Sequence, residues 1–127
     1  MKIRKVMSIM KMMIVDDNPR MRETLKNLLQ RQLMGIDNIL ECADGSEAIE
    51  RYKNFKPDWV SMDVAMEPMN GLTATEAITQ SHPGAKIIIV TQYDDPEYRE
   101  AAKNSGACAY VLKENLLDIP GIVKSVF

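Results

Sequence analysis

The sequence predicts an α/β domain in which five strands alternate with five helices and form a parallel sheet. Three observations lead to this class. Short apolar runs end at polar residues and are each followed by a segment with helical spacing. The connections between these segments are short. Residues 87–90 are an unbroken β-branched run, which is typical of a parallel strand covered on both faces. Such an alternation places helices on both sides of a parallel sheet.

The first strand and helix illustrate the evidence for each element. Residues 11–15 form a short run that is apolar after Lys11, and its shortness and the polar stop after it favour a strand over a helix. Asn18 is suited to cap the first helix, and Pro19 is suited to its first position. Gly35 is predicted to end that helix.

The later elements follow the same pattern. Further strands are predicted at residues 38–43, 59–63, 86–91 and 108–112. Further helices are predicted at residues 47–55, 73–80, 96–104 and 116–127. Ser46 is expected to cap the second helix, and Pro120 lies near the start of the last one.

Length and charge limit the class of protein. A chain of 127 residues forms one ordinary domain, and a net charge of −2 provides no overall basic field for nucleic acid. Residues 1–10 are predicted to be an N-terminal extension. Its basic, apolar character resembles a signal peptide, but Lys11 interrupts the apolar run and no small-residue cleavage site follows. No run is long enough to span a membrane.

Two cysteines, Cys42 and Cys108, form neither a disulfide framework nor a metal-ligand spacing. We expect two buried thiols and a cytoplasmic protein.

Polar residues follow four of the five predicted strands. They are Asp16 and Asp17 after the first strand, Asp63 at the end of the third, Thr91 of the fourth and Lys113 of the fifth. The carboxyl ends of parallel strands share one edge of the sheet, where ligands bind in this architecture. Three carboxylates at one edge repel each other unless a cation joins them, and oxygen ligands without nearby His or Cys suit Mg²⁺. A hydroxyl and an ammonium complete a pocket for a tetrahedral anion.

With these residues in order, the chain resembles the receiver domains of response regulators from residue 11 onward. The motifs are Met12-Met13-Ile14-Val15-Asp16-Asp17-Asn18, Met62-Asp63-Val64-Ala65-Met66, Asn70-Gly71, Thr91 and Tyr110-Val111-Leu112-Lys113. The resemblance implies a single flavodoxin-like (βα)5 receiver domain over residues 1–127, with strand order 2-1-3-4-5.

The resemblance also implies a role for each site residue. Asp63 matches the phosphoacceptor, which would attack phosphorus and form an aspartyl phosphate. Asp17, Asp63 and the Ala65 carbonyl match the direct Mg²⁺ ligands, and Asp16 matches the acid that holds metal-bound water. Thr91 matches the switch hydroxyl, Lys113 the ammonium that pairs with the phosphoryl group, and Tyr110 the switch aromatic that rotates inward behind Thr91.

Three positions depart from the family pattern. Glu67 stands where Pro is usual, and Pro68 follows one residue later. Gln92 stands where a small residue usually follows the switch Thr, and Glu114 replaces a common Pro. Glu67 is expected to add negative charge near the site, and Gln92 to narrow access to the phosphoryl group or orient water.

The implied function is two-component signal transduction rather than enzymatic turnover of a small substrate. A sensor histidine kinase would phosphorylate Asp63, and phosphorylation would switch an output, with homodimerisation as one form of response. Lys113-Glu114-Asn115-Leu116 resembles the subgroup with a C-terminal helix-turn-helix domain, and the apolar Val126-Phe127 suits a helix that continues. Contact with DNA would therefore occur only through a domain absent from this chain, and no membrane contact is expected.

Other interpretations of these residues differ in how well the sequence fits them. An Asp-nucleophile phosphatase would need Asp-x-Asp after the first strand, and a flavin or dinucleotide binder would need a phosphate loop there; both patterns are absent. A stand-alone receiver, or a degenerate one acting as an interaction module, would keep the fold. Asp16-Asp17 alone could complement a helix dipole. Arg20 and Arg22 are expected to lie on a solvated helix face, although either could approach a phosphate.

Overall fold

The computed structural model describes residues 10–33 and 36–125. The strands are β1 (Met10–Val15), β2 (Ile36–Cys42), β3 (Trp59–Met62), β4 (Ile87–Thr91) and β5 (Ala109–Leu112). The helices are α1 (Pro19–Gln32), α2 (Gly45–Phe55), α3 (Gly71–Ser81), α4 (Pro96–Asn104) and α5 (Asp118–Lys124), with a 3₁₀ turn at Lys113–Asn115. The predicted extension apart from Met10, the helix end at Gly35 and the apolar Val126-Phe127 lie outside the described residues.

All paired strands are parallel, and their order in the sheet is β2-β1-β3-β4-β5. The predicted fold class and strand order are therefore confirmed. The register places Val15 opposite Met62, so the residues that follow these two strands leave the sheet at the same level. Likewise Thr91 pairs with Leu112, which brings the ends of β4 and β5 together.

Alternate residues of the strands pack into two separate hydrophobic cores, one on each face of the sheet. Met12, Ile14 and Ile88 pack with α1 and α5, whereas Met13 and Ile89 pack with α2, α3 and α4. Both cores consist of buried apolar side chains, so the sheet is covered on both faces and the short apolar strands need no solvent-facing side. The residues that directly follow β1, β3 and β5 at the carboxyl edge are polar.

The cysteines occupy opposite sides of this sheet. Cys42 ends β2 and is buried, and Cys108 precedes β5 at the other edge. Four strand spacings of about 4.8 Å separate these edges, which is far beyond the reach of a disulfide. Cys108 is exposed, so the expectation of two buried thiols is wrong for that residue. Its place before an edge strand explains the exposure.

Several predicted bounds differ from the structure. Asp44, not Ser46, caps α2, because the Asp44 carboxylate accepts a hydrogen bond of 3.0 Å from the Glu47 amide. Residues 116–117, predicted to start the last helix, form a turn that follows a 3₁₀ turn, and α5 begins at Asp118. Pro120 is then the third residue of α5, where a missing N–H costs no hydrogen bond within the helix. Within the described ranges no helix is long and apolar enough to cross a bilayer.

Candidate functional site at the carboxyl edge of the sheet

The structure brings polar residues from three strand ends into contact. Asp16 follows β1, Asp63 follows β3 and Lys113 follows β5. The Lys113 Nζ lies 3.1 Å from Asp16 Oδ2 and 3.4 Å from Asp63 Oδ1. Since β1 and β3 are neighbours in register, the two carboxylates are placed side by side by the sheet itself.

Asp63 is fixed in the protein interior by its backbone. Its N–H donates to the Val15 carbonyl (3.0 Å), and one carboxylate oxygen accepts from the Val64 amide (2.9 Å). The residue is only 4% exposed. Gly71, the first residue of α3, packs so closely that an added Cβ would lie 1.8 Å from the Asp63 carbonyl oxygen. Any larger residue at position 71 would therefore displace the backbone that carries Asp63.

Asp16 is restrained by contacts of both its backbone and its carboxylate. Its N–H donates to the Cys42 carbonyl, its Oδ1 accepts from the Asn18 amide (2.9 Å), and its Oδ2 pairs with Lys113. Asn18 in turn caps α1, as the sequence predicts, because its side chain accepts from the first amides of the helix. The turn between β1 and α1 is thus a continuous hydrogen-bonded unit.

The electrostatics of the site follow from burial and from like charge. Burial raises the pKa of Asp63 to about 6, and the neighbouring Asp16 carboxylate adds to this effect, while Lys113 opposes it. Burial is thus a larger cause of the raised pKa of Asp63 than repulsion by the neighbouring carboxylate. Burial lowers the pKa of Lys113, yet the two carboxylates outweigh it and the pKa is raised overall.

The acidic residues form one group of possible metal ligands. Ligand atoms of Asp16, Asp17 and Asp63 lie within 4.8 Å of one another. Asp16 and Asp63 are buried, whereas Asp17 is exposed, so the group opens to solvent on the Asp17 side. An all-oxygen set with access to water has the chemistry of a site for a hard divalent cation.

Thr91 on β4 and Tyr110 on β5, the two predicted switch residues, both contact the segment that follows β4. Thr91 ends β4, is fully buried, and its hydroxyl oxygen accepts a hydrogen bond from the Tyr93 amide at 3.2 Å. The Tyr110 hydroxyl donates to the Tyr93 carbonyl, and the Arg99 guanidinium lies 4.6 Å from the centre of the Tyr110 ring. In this structure both predicted switch residues therefore bond to the backbone of Tyr93.

Two of the departures from the family pattern lie in loops at this edge, Glu67 after β3 and Gln92 after β4. Ala65 and Glu67 are exposed, and the peptide bond between Glu67 and Pro68 is cis. Gln92 is exposed as well. The roles assigned to Ala65, Glu67 and Gln92 stay predictions.

One pair of charged residues at the site was missed from the sequence. Arg22 is not on a solvated face, because its Nη1 donates to the Asp16 carbonyl at 2.6 Å and its Nε pairs with Glu41 of β2 at 2.9 Å. Arg20, in contrast, is exposed as expected. The spacing of Arg22 on α1 gave no signal of this contact, since Glu41 lies on another element.

Comparison with known families accords with this geometry. A model of the response regulator receiver domain matches residues 12–124. The match covers most of the chain, and the chain therefore belongs to the family of response regulator receiver domains.

Individual relatives agree. The chain is 37% identical over 118 residues to the transcriptional regulatory protein LnrK of Bacillus subtilis (strain 168), an alignment that covers 93% of the chain and 52% of that protein. It is 39% identical over 105 residues to the oxygen regulatory protein NreC of Staphylococcus haemolyticus (strain JCSC1435), covering 82% and 48% respectively. The chain thus spans about half the length of these curated relatives.

Solved structures show the same architecture. A two-component response regulator of the LuxR family from Aurantimonas sp. SI85-9A1 superposes with a TM-score of 0.85 at 31% identity, covering 91% of this chain and 83% of that one. The complex of CheX, CheY, BeF3 and magnesium from Borrelia burgdorferi matches with a TM-score of 0.83 at 26% identity, covering 93% and 89%.

Proposed function

We propose that this receiver domain accepts a phosphoryl group on Asp63. The observation that carries the proposal is the position of Asp63: it is buried at a strand end, 3.4 Å from the Lys113 ammonium and clustered with Asp16 and Asp17. A carboxylate in such a site is both restrained and faced by positive charge. Both features favour attack on a phosphoryl group.

In the proposed reaction, an Asp63 carboxylate oxygen attacks phosphorus and forms a new O–P bond. The bond from phosphorus to its donor breaks, and its electron pair stays with the donor group, which takes up a proton where that group is a histidine nitrogen. For a sensor histidine kinase the donor is a phosphorylated histidine, and for acetyl phosphate the leaving group is acetate. Lys113 offsets charge on the transferred group, as an ammonium does in phosphoryl-transfer sites. The domain itself is a phosphoacceptor and does not turn over a separate substrate.

The carboxylate group fits Mg²⁺, and we assign it as the metal site. Asp17 and Asp63 would be direct ligands together with the Ala65 carbonyl, and Asp16 would hold metal-bound water. Bound Mg²⁺ would neutralise the charge that gathers on the phosphoryl oxygens. The solved complex of CheX and CheY with BeF3 and magnesium supports the same choice of metal here.

The proposed switch consists of Thr91 and Tyr110. Phosphorylation would place a phosphoryl oxygen within reach of the Thr91 hydroxyl, which now accepts from the Tyr93 amide. The Thr91 hydroxyl would donate to that charged oxygen, in a bond stronger than the one it accepts from the Tyr93 amide, and its side chain would reorient relative to Tyr93. Tyr110, bonded to the same residue, would then reorient inward.

The output of the longer protein is proposed to be transcription regulation. The relatives named as regulatory proteins are about twice the length of the aligned segment, and we infer that a DNA-binding domain accompanies this one, with a kinase and a second phosphorylated copy as its partners. Cys42 and Cys108 cannot pair within the chain, and free thiols are typical of the cytoplasm, which supports that location.

The test of the phosphoacceptor is intact-mass spectrometry after incubation with acetyl phosphate and Mg²⁺. Wild type is expected to gain one phosphoryl group that hydroxylamine removes, and EDTA is expected to prevent the gain. Asp63→Asn is expected to gain none. Asp95→Asn, an exposed carboxylate before α4, is the matched control and is expected to behave as wild type.

An Asp63→Asn protein that gained the hydroxylamine-sensitive group as fully as wild type would exclude Asp63 as the acceptor. Equal labelling with and without EDTA would exclude the metal assignment but not the acceptor.

A further inference from the structure

Arg22 and Glu41 form a clamp on the turn that carries the acidic residues. The Arg22 guanidinium donates through Nη1 to the Asp16 carbonyl (2.6 Å) and through Nε to Glu41 Oε1 (2.9 Å). The Arg22 side chain is 18% exposed and that of Glu41 is 34% exposed, so both are partly withdrawn from water. A planar guanidinium that is engaged on two sides is held in one orientation.

The clamp acts on one particular peptide group. The carbonyl that Arg22 contacts belongs to the bond between Asp16 and Asp17, so the contact fixes the plane from which Asp17 projects. Asp17 needs such support, because its carboxylate is exposed and makes no hydrogen bond or ion pair within the described part of the chain. Asp16 and Asp63, in contrast, are restrained by Lys113.

Glu41 joins the clamp to the sheet. It precedes Cys42, whose carbonyl accepts the Asp16 N–H at 3.1 Å. The end of β2 therefore holds the turn twice, once through its backbone and once through Glu41 and Arg22. Glu41 pairs with Arg22, and its other carboxylate oxygen lies 3.9 Å from Lys26 Nζ. What the clamp itself contributes at the Asp16–Asp17 peptide is a fixed geometry.

We propose that Arg22 and Glu41 are positioning residues that hold Asp17 in place for Mg²⁺, an inference that rests on the proposed function. Groups that orient metal ligands typically change metal affinity by about 10-fold to 100-fold when mutated. Loss of the clamp would leave the fold intact, because both cores lack these residues. Without the clamp, the peptide group between Asp16 and Asp17 would lose the hydrogen bond that fixes its orientation.

The test uses Mn²⁺ as a probe for the Mg²⁺ site. The EPR signal of free Mn²⁺ gives the affinity, and competition by Mg²⁺ shows that both ions bind the same site. Arg22→Gln is expected to weaken Mn²⁺ binding about 10-fold. Arg22→Lys is expected to weaken it as well, because one ammonium cannot serve the carbonyl and Glu41 in the same fork-like geometry. Glu41→Gln is expected to have a smaller effect in the same direction. Arg20→Gln, an exposed arginine on the same helix, is expected to bind as wild type.

Thermal melts without metal separate this role from a merely structural one. A structural role would lower the melting temperature of Arg22→Lys and leave the Mn²⁺ affinity of the folded protein unchanged, and that result would overturn the proposal. Equal affinity of wild type, Arg22→Gln and Glu41→Gln would also overturn it. If wild type itself failed to bind Mn²⁺ and Mg²⁺, the metal assignment of the proposed function would fall with it; binding by wild type with no loss in the variants would remove the clamp alone.

Discussion

The surroundings of Asp63 raise the pKa of its carboxyl group. Burial and the Asp16 carboxylate raise its pKa to about 6, against an ordinary value near 3.8. A carboxyl group with a raised pKa in the native state binds protons more tightly there than in the unfolded chain. The protonated form therefore adds stability at low pH, and this contribution is lost as the pH rises towards and through 6.

This shift predicts how the metal-free protein responds to pH. As the pH rises from 5 to 7.5, ionisation of Asp63 should lower the free energy of unfolding by about 1.4 kcal/mol. The size follows because one unit of pKa difference corresponds to about 1.4 kcal/mol. Asp63→Asn should lack that loss, and Glu100→Gln, which alters an exposed carboxylate on α4, should keep it. Denaturant melts in EDTA at the two pH values measure the difference. A loss of the same size in Asp63→Asn would show that another group is responsible.

Single residues also show where sequence reasoning succeeds and fails. Asp16, Asp63 and Lys113 follow strands that the sequence identifies, and parallel pairing then brings strand ends to one edge. Arg22, on α1, could not be placed in this way, because its partners are a backbone carbonyl and the side chain of Glu41 on β2. Helical periodicity reports which face of a helix is polar, but it does not report what that face meets.

At the scale of elements, the segment between β4 and α4 is held by side chains rather than by secondary structure. The Tyr110 hydroxyl bonds to the Tyr93 carbonyl, and Arg99 pairs with Asp94 at 2.7 Å while covering the Tyr110 ring. The rings of Tyr93 and Tyr98 stack with centroids 5.2 Å apart. These contacts tie the segment to α4 and β5, so it has a defined arrangement that a change at Thr91 can disturb.

Removing one hydroxyl should loosen this segment without removing any ring. Tyr110→Phe deletes the hydrogen bond to Tyr93, which is worth about 1 kcal/mol. Amide exchange across residues 92–95 should then be roughly five times faster, since 1.4 kcal/mol corresponds to a factor of ten. Tyr98→Phe is the control, because the Tyr98 hydroxyl makes no hydrogen bond within the described residues. Hydrogen exchange measured by mass spectrometry distinguishes the two, and equal exchange in both variants would contradict the role of Tyr110.

Elements were predicted well where local signals were strong and less well where two signals competed. Pro96–Asn104 matches its predicted bounds, because Pro marks the first turn and Ser105-Gly106 the end. The start of α2 was misplaced, since Asp44, Gly45 and Ser46 are all cap residues and the choice depends on which side chain reaches an amide. The 3₁₀ turn at Lys113–Asn115 has no signal of its own, because its place is set by the end of β5.

For the molecule as a whole, alternation of elements predicts the class, but the strand order came from the family resemblance. Periodicity reports that a strand is covered on both faces and cannot report which strand lies beside it. The order decides the chemistry, because only β1 and β3 as neighbours put Asp16 and Asp63 side by side. The site is thus a property of the topology, and its residues are 47 positions apart in the chain.

The cost of gathering these charges should appear as a dependence of stability on Mg²⁺. Since metal at this site binds the folded protein alone, Mg²⁺ at ten times its dissociation constant should stabilise by about 1.4 kcal/mol. Asp17→Asn removes a proposed ligand and should abolish that gain. Because Asp17 is exposed and Lys113 already offsets the two buried carboxylates, the variant without metal should be as stable as wild type or slightly more so, within about 0.5 kcal/mol.

Denaturant melts of wild type, Asp17→Asn and Asp95→Asn, with Mg²⁺ or with NaCl at equal ionic strength, measure these effects. The salt series removes general screening from the comparison, and Asp95→Asn should keep the full gain because its carboxylate lies outside the acidic group. If Asp17→Asn still gained stability from Mg²⁺, the metal would not depend on Asp17. If wild type gained nothing, the three carboxylates would not form a Mg²⁺ site.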